Sequence, residues 1–298
     1  MASRDQDQDR DREPRGGQDR VGTLFVVGTP IGNLEDITLR ALSTLRSVDV
    51  VACEDTRRTR NLLNHYKIET PTTSYHEHNE LTKAPELILR LEEGARIALV
   101  SDAGMPGISD PGYRLVSLSI RHNIPVVPIP GASAFVAALV ASGLPTDAFR
   151  FSGFLPSKSS QRRKVLEQQK ISHKTLIFFE APHRILATLD DVHEVLGNRH
   201  VVVAREVTKV HEEFLRGRCR DLLAQLRQRE PLRGEITLLI GHPGEEPHPC
   251  ADVPLRARID QLMREQRLDR MEALKTVARE RGISKSQAYR EYQGRIDD

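Results

Sequence analysis

The sequence predicts an α/β protein of two lobes, followed by a small helical unit. The first lobe shows as four short apolar runs, each closing on a turn: LFVVG (Leu24–Gly28), VDVVACE (Val48–Glu54), RIALVSD (Arg96–Asp102) and PVVPIPG (Pro125–Gly131). Amphipathic stretches such as Leu39–Leu45 and Leu87–Leu91 lie between them. Continuous apolar strands alternating with helical segments indicate a parallel sheet covered on both faces. After Gly143 the rhythm resumes with FRFSGFLP, TLIFFEAPHR, HVVVAREVTK and GEITLLIG as strands. Helices are predicted near Ser160–Gln169, Ile185–Leu196 and Asp221–Gln228, which makes a second α/β lobe with a mixed sheet. Beyond a Pro-rich stretch only helical periodicity remains, broken at Arg281-Gly282 in the manner of a helix-turn-helix.

The expected organisation is a disordered tail (1–20), an N-terminal lobe (21–143), a second lobe (144–241), a linker (242–254) and a helical unit (255–298). The tail, rich in Asp, Arg and Gln, has almost nothing to bury. The chain carries 44 Lys+Arg against 42 Asp+Glu, so nucleic-acid binding must rest on local patches, not net charge. Its three cysteines, Cys53, Cys219 and Cys250, follow no ligand spacing and read as free thiols in a reducing compartment. No apolar run approaches the ~18 residues of a membrane helix, and no secretory h-region opens the chain. A cytoplasmic location is expected.

Ligands of open α/β sheets bind beyond the carboxyl ends of the strands, and here those ends hold the distinctive motifs. GTPIGN (Gly28–Asn33) stands where a dinucleotide fingerprint would, but Pro30 replaces its second glycine, which argues against an ordinary Rossmann dehydrogenase. SDAGMPGISDPG (Ser101–Gly112) spends two aspartates, three glycines and two prolines on one turn, a concentration that favours a ligand loop. Asp102 there suits a ribose or an amino group, and Asp110-Pro111 reads as a helix cap. PGASA (Pro130–Ala134) opens a helix, so Ser133 is either an N-cap or a carboxylate contact.

CEDTRRTRNLL (Cys53–Leu63) sets Arg57, Arg58 and Arg60 at a helix N-terminus, where cations are unfavourable without an anionic partner. PSKSSQRRK (Pro156–Lys164) is either a solvated face or a phosphate-tracking one, through Lys158, Arg162 and Arg163. In EAPHR and AREVTK, Arg184 and Lys209 are either substrate contacts or partners of Glu180 and Glu206. His76 and His78 lack a further ligand, so no metal is expected.

As an ordered set, these motifs resemble the tetrapyrrole-methylase superfamily, and within it the ribose methyltransferases of small-subunit ribosomal RNA. The match runs from about Thr23 to Gly241 and into the helical unit, with Ala181 in EAPHR where the family usually has serine. The resemblance implies a two-lobed class III methyltransferase fold with S-adenosylmethionine held between the lobes. It maps cofactor contacts onto Pro30, Asp102, Met105, Ser133 and Ala134, and second-lobe contacts to the adenosine onto Phe179, Ala204 and Thr237. It also implies a homodimer that methylates the 2′-hydroxyl of a cytidine in the decoding region of 16S rRNA on the 30S subunit, with the helical unit helping to grip RNA. DNA, which lacks that hydroxyl, and membranes are not expected partners. Glu54, Asp55, Glu180 and Lys209 are the candidates to take the hydroxyl proton. A methylase of a corrin or porphyrin precursor and a non-enzymatic RNA-binding module are the rivals. The arginines and the helical unit weigh against the first, and the intact glycine loops against the second.

Overall fold

The computed structural model describes residues 21–229, 231–243, 255–265, 268–280 and 283–293. The expected disordered tail, most of the linker and the break at Arg281-Gly282 lie outside them. The described chain forms two units, dividing between Ser133 and Ala134.

The first unit runs β1 (Thr23–Val27), α1 (Leu39–Ser47), β2 (Val50–Cys53), α2 (Thr56–His65), β3 (Thr72–Ser74), α3 (Glu80–Glu92), β4 (Arg96–Leu99), α4 (Tyr113–Arg121) and β5 (Val126–Ile129). Its sheet has the order β3-β2-β4-β1-β5, and every pairing is parallel. Alternate residues of each strand serve opposite faces. Leu24, Val50, Ala52, Ile97 and Leu99 pack with Leu87, Leu91 and Leu115 of α3 and α4. Val27, Val51, Cys53 and Ala98 pack with Ala41, Leu45 and Leu63 of α1 and α2. Burial on both faces is why these strands read as unbroken apolar runs. The starts of α1 and α2 are set by side-chain caps: the Thr38 hydroxyl accepts from Ala41 N–H at 3.1 Å, and Asp55 accepts from Arg57 N–H at 2.8 Å. Each is worth about 1 kcal/mol.

The second unit opens with α5 (Ala134–Ser142) and continues β6 (Phe149–Phe154), α6 (Ser159–Glu167), β7 (Thr175–Glu180), α7 (Ile185–Leu196), β8 (His200–Arg205), β9 (Glu213–Arg218), α8 (Cys219–Arg227) and β10 (Ile236–Ile240). The sheet order is β6-β7-β10-β8-β9; only β6 and β7 are parallel neighbours, so it is mixed, as expected. One face takes Leu166, Leu189, Val192 and Leu222 from α6, α7 and α8. The other takes Ala138 and Leu139 of α5 against Ile177, Val202, Ala204 and Leu239. That packing places α5 in the second unit, so the division falls ahead of the Gly143 boundary read from the sequence. Three further helices, α9 (Leu255–Glu265), α10 (Arg270–Glu280) and α11 (Lys285–Tyr292), enclose their own core of Ile259, Leu262, Leu274, Val277 and Ala288.

Arg162 corrects one expectation. It is 3% exposed, and its guanidinium donates to Asp191 at 2.6 Å and to the carbonyls of Pro156, Ser157 and Ala187. A buried fork filled by one carboxylate and three carbonyls holds the β6–α6 turn onto α7 and has no face left for a phosphate. Arg163, its 41%-exposed neighbour, also pairs with Asp191 and with Glu194. Arg162→Met should lower unfolding free energy by about 3–5 kcal/mol, because a buried carboxylate loses the buried one of its two charged partners and three carbonyls lose their donor. Arg163→Ala should cost far less, and urea denaturation of both variants measures the difference.

Candidate cofactor and substrate site

Strand β1 lies between β4 and β5, so the loops leaving these three carboxyl ends meet at one place in the first unit. They meet backbone to backbone. A Cβ on Gly28 would lie 2.7 Å from Gly131 Cα and 2.7 Å from Met105 Sδ, and one on Gly131 would lie 2.8 Å from Gly28 Cα. No side chain fits either position. Thr29 N–H donates to the Gly104 carbonyl at 2.9 Å, and Gly104 N–H returns the bond at 3.1 Å. The buried Thr29 and Ser101 hydroxyls add bonds to the same carbonyl. Gly104 and Gly107, at φ +84° and +80°, turn the β4 loop through conformations that other residues rarely adopt. Of the residues assigned to a cofactor here, Met105 packs against Gly28, Pro30 is buried, and Asp102 and Ser133 are half-buried.

Beside this joint stands a group of carboxylates. Asp102 accepts the Asp55 N–H at 3.1 Å and pairs with Arg58 at 3.2 Å. Glu54, directly after β2, is held above the ordinary glutamate range, first by burial and then by the nearby charge of Asp102. Asp110 is pushed up to about 6, again by burial and then by Glu54. The two line a 630 Å³ cavity with Glu77, Glu80, Tyr113 and Arg114. The sequence reading missed Asp110. The N-cap of α4 is Gly112, at φ 149°, not Asp110, which instead interacts with the Ser101 side chain. Only its place between two prolines and glycines of one ligand-like loop marked it.

The four proton-acceptor candidates now separate. Glu180 is 2% exposed and accepts from Arg184 Nε, from Ala181 N–H at 2.8 Å and from the Thr188 hydroxyl at 2.7 Å. Lys209 bonds Glu206 at 2.9 Å and Glu235 at 3.1 Å. Burial opposes its charge, yet those bonds outweigh it and hold the ammonium above the usual lysine range. Asp55, hydrogen-bonded by Arg57, is held below the usual carboxylate range. Glu54 makes no hydrogen bond or ion pair among the described residues, and its proton affinity is raised above that of an ordinary glutamate.

The arginines also separate. Arg57 pairs with Asp55 at 3.3 Å and Arg58 with Asp102, so two of the three cations at the start of α2 are answered within the chain. Arg60 and Lys158 are exposed and make no ion pair among the described residues. Arg184 is committed to Glu180 and the Leu155 carbonyl. In the second sheet, Thr237 stands opposite Phe179 on one side and Ala204 on the other. These three therefore form one row on one face, at the carboxyl ends of β7 and β8. Ala134, the remaining assigned residue, opens α5 and is half-buried. No cluster of three or more metal-ligating side chains occurs among the described residues.

Residues 23–223 match the family of tetrapyrrole (corrin/porphyrin) methylases. The chain is 49% identical over 283 residues to the ribosomal RNA small subunit methyltransferase I of Halalkalibacterium halodurans, covering 92% of this chain and 96% of that one. Its identity to the protein of that name from Escherichia coli O157:H7 is 43% over 282 residues, covering 94% and 97%. Among solved structures, cobalt precorrin-4 methyltransferase matches with a TM-score of 0.55 at 19% identity, covering 74% of this chain and 94% of that one. The methyltransferase CobJ matches with a TM-score of 0.57 at 19% identity, covering 76% and 96%. At that identity the structures speak for the fold alone. The family match over residues 23–223 and the near full-length likeness agree: this chain belongs to the tetrapyrrole methylase family, in its branch of ribosomal RNA small subunit methyltransferases I.

Proposed function

We propose that the chain is an S-adenosylmethionine-dependent methyltransferase that modifies the ribose 2′-hydroxyl of a cytidine in the decoding region of 16S rRNA. The observation that carries this is the likeness to ribosomal RNA small subunit methyltransferases I across more than nine-tenths of the chain. The residues fit the cofactor, whose sulfur is cationic. Glu54, Asp102 and Asp110 supply negative potential beside a backbone joint stripped of side chains. In the first unit Asp102, Met105 and Ser133 would hold it, with Pro30 shaping the turn. In the second unit Ala134 and the row of Phe179, Ala204 and Thr237 are assigned to it.

When bound, the cofactor supplies a methyl group on a positively charged sulfur, a leaving group that needs no further activation. The chain's own part is alignment and proton removal. Holding the reacting atoms about 3–3.5 Å apart in line is worth up to about 7–11 kcal/mol. Glu54 takes the 2′-hydroxyl proton, its raised proton affinity making it a stronger base than an ordinary carboxylate. Arg57, Arg58, Arg60, Lys158 and Arg163 face phosphates, with Arg60 and Lys158 the most available. A homodimer acting in the cytoplasm completes the reading; no described helix is long and apolar enough to cross a membrane.

Incubating the protein with 30S subunits and methyl-labelled cofactor, then mapping the labelled nucleotide, tests the whole assignment. Label on a 2′-oxygen of 16S rRNA is expected, and its absence from RNA would overturn it. Glu54→Gln should cut kcat/KM by about 10²–10⁴-fold. The acid limb of the wild-type pH–rate profile, lying above the ordinary glutamate value of 4.5, should vanish in that variant. Asp102→Ala should weaken cofactor binding in calorimetry more than tenfold. Asp102→Asn, which keeps an acceptor for Asp55 N–H, separates loss of charge from loss of the helix start. Asp110 binds its proton more tightly folded than unfolded, so its ionisation costs stability as pH rises from about 4 to about 6. Asp110→Asn should therefore melt higher than wild type at pH 8, and the gap should close below pH 4.

A further inference from the structure

The cavity beside Glu54 has a second wall that proton removal does not use. Its 630 Å³ is bounded there by Glu80, the first residue of α3, and by Tyr113 and Arg114 at the start of α4. Pockets of about 300–1,000 Å³ commonly hold small organic guests. Arg114 Nε donates to Glu80 Oε1 across 3.5 Å. Neither side chain makes another hydrogen bond among the described residues, so Nη1 and Nη2 keep their donors and Oε2 its acceptor capacity. Glu80 is half-buried, where reduced contact with water strengthens a hydrogen bond. Tyr113 is 80% exposed, and its ring has no ring or cation contact among the described residues.

The position of Glu54 says what this wall faces. A 2′-hydroxyl and its base belong to one nucleoside, so the base must lie beside whatever group takes the hydroxyl proton. Glu54 and the Arg114–Glu80 pair line the same cavity. A protein that holds an unstacked base offers a flat ring to its face and donors and acceptors to its edge. Tyr113 supplies the ring, and the ion pair supplies a donor fork next to an acceptor. That order fits cytosine. Its N4 amino group donates to a carboxylate, while N3 and O2 accept from a guanidinium. Uracil places O4 and N3–H at the first two positions, which sets oxygen against carboxylate and N–H against guanidinium. We propose that this cavity holds the base of the target nucleotide, its face on Tyr113 and its edge on the Arg114–Glu80 pair, and that the pair selects cytosine over uracil. This rests on the reading of the chain as an rRNA ribose methyltransferase and adds to it the residues that read the base.

The test uses the full chain and 30S subunits reconstituted from transcribed 16S rRNA, with cytosine or uracil at the nucleotide that the wild type labels. Measured as kcat/KM for methyl transfer, the wild type should prefer cytosine by about 10–100-fold. Glu80→Gln, whose amide can donate to O4, should cut that preference about tenfold, and Arg114→Gln should cut it by a similar factor. Glu80 is half-buried and Arg114 exposed, so neither substitution opens the core. A ratio between two substrates also cancels any change in folding or cofactor affinity. Tyr113→Ala should raise KM for the subunits about tenfold, and Tyr113→Phe, which keeps the ring, should restore it. The proposal falls if the wild type methylates both subunits equally, if either glutamine variant keeps the wild-type preference, or if Tyr113→Ala leaves KM unchanged. Failure of Tyr113→Phe to restore KM would also overturn it. In each of those outcomes methyl transfer to 30S RNA is still observed, so the rRNA methyltransferase reading survives. A wild type that transfers no methyl group to 30S RNA overturns that reading and takes this proposal with it.

Discussion

The contact of Gly28 with Gly131 is the constraint on which the first unit's chemistry depends. Two backbones pass so closely that neither residue can carry a Cβ, and Met105 Sδ fills the remaining space. This contact exists because β1 lies between β4 and β5, so their departing loops must share one spot. Close approach gives the loops two properties at once. It strips side chains from the joint, and it fixes the two loops through the paired Thr29–Gly104 bonds. A site held by backbone in this way needs little reorganisation when filled.

Charge is then arranged around that joint by proximity along the sheet edge. Glu54 follows β2, while Asp102 and Asp110 flank the β4 loop, so three carboxylates crowd a partly desolvated rim. Such crowding costs stability and is offset only in part: Arg58 answers Asp102, and the N-terminus of α2 answers both Asp102 and Asp55. Glu54 and Asp110 are left as the members whose proton affinities rise. The Arg58–Asp102 pair also ties a residue assigned to phosphate contact to one assigned to the cofactor. Anything that draws on one side of that pair changes the other.

Much of this was legible in the sequence, for a physical reason. Strands buried on both faces have no choice but continuous apolar runs, so β1, β2 and β4 announce themselves, as do β7, β8 and β10, while β5, a half-buried edge strand, shows through its run of valine and isoleucine. β3 is three half-buried residues, Thr72–Ser74, too short to show a period. β9 (EFLRGR) is an edge strand whose charged residues face water or pair with neighbours, and it lacks an apolar signature. The helical unit was visible because Ile259, Leu262, Leu274 and Val277 keep helical spacing. α5 was visible as a helix, but its membership was not, because an almost wholly apolar helix does not say which sheet it covers.

The residues that escaped the sequence are charged ones, and the reason is geometric. Arg162 and Arg163 are adjacent in one helix, so about 100° of rotation separates them. One is buried against Asp191 and three carbonyls; the other stays 41% exposed and reaches Asp191 and Glu194 from the surface. Composition counts both as basic and therefore as phosphate ligands. Glu180 and Glu54 differ in the same way. Both stand at a strand end, but Glu180 meets Arg184, Thr188 and its own turn, whereas Glu54 makes no hydrogen bond or ion pair among the described residues. Around Glu54, burial and the charge of Asp102 outweigh the more distant Arg58 and His76. A charged group becomes available for chemistry when the fold supplies it no local partner. Partner supply depends on what the next helix presents three or four residues on. For Glu180 that residue is Arg184, legible in EAPHR once the strand end is known. For Glu54 the residue four on is Arg58, and the structure shows it diverted to Asp102 across the sheet edge. That long-range diversion, invisible in local spacing, is what leaves Glu54 without an ion-pair partner among the described residues.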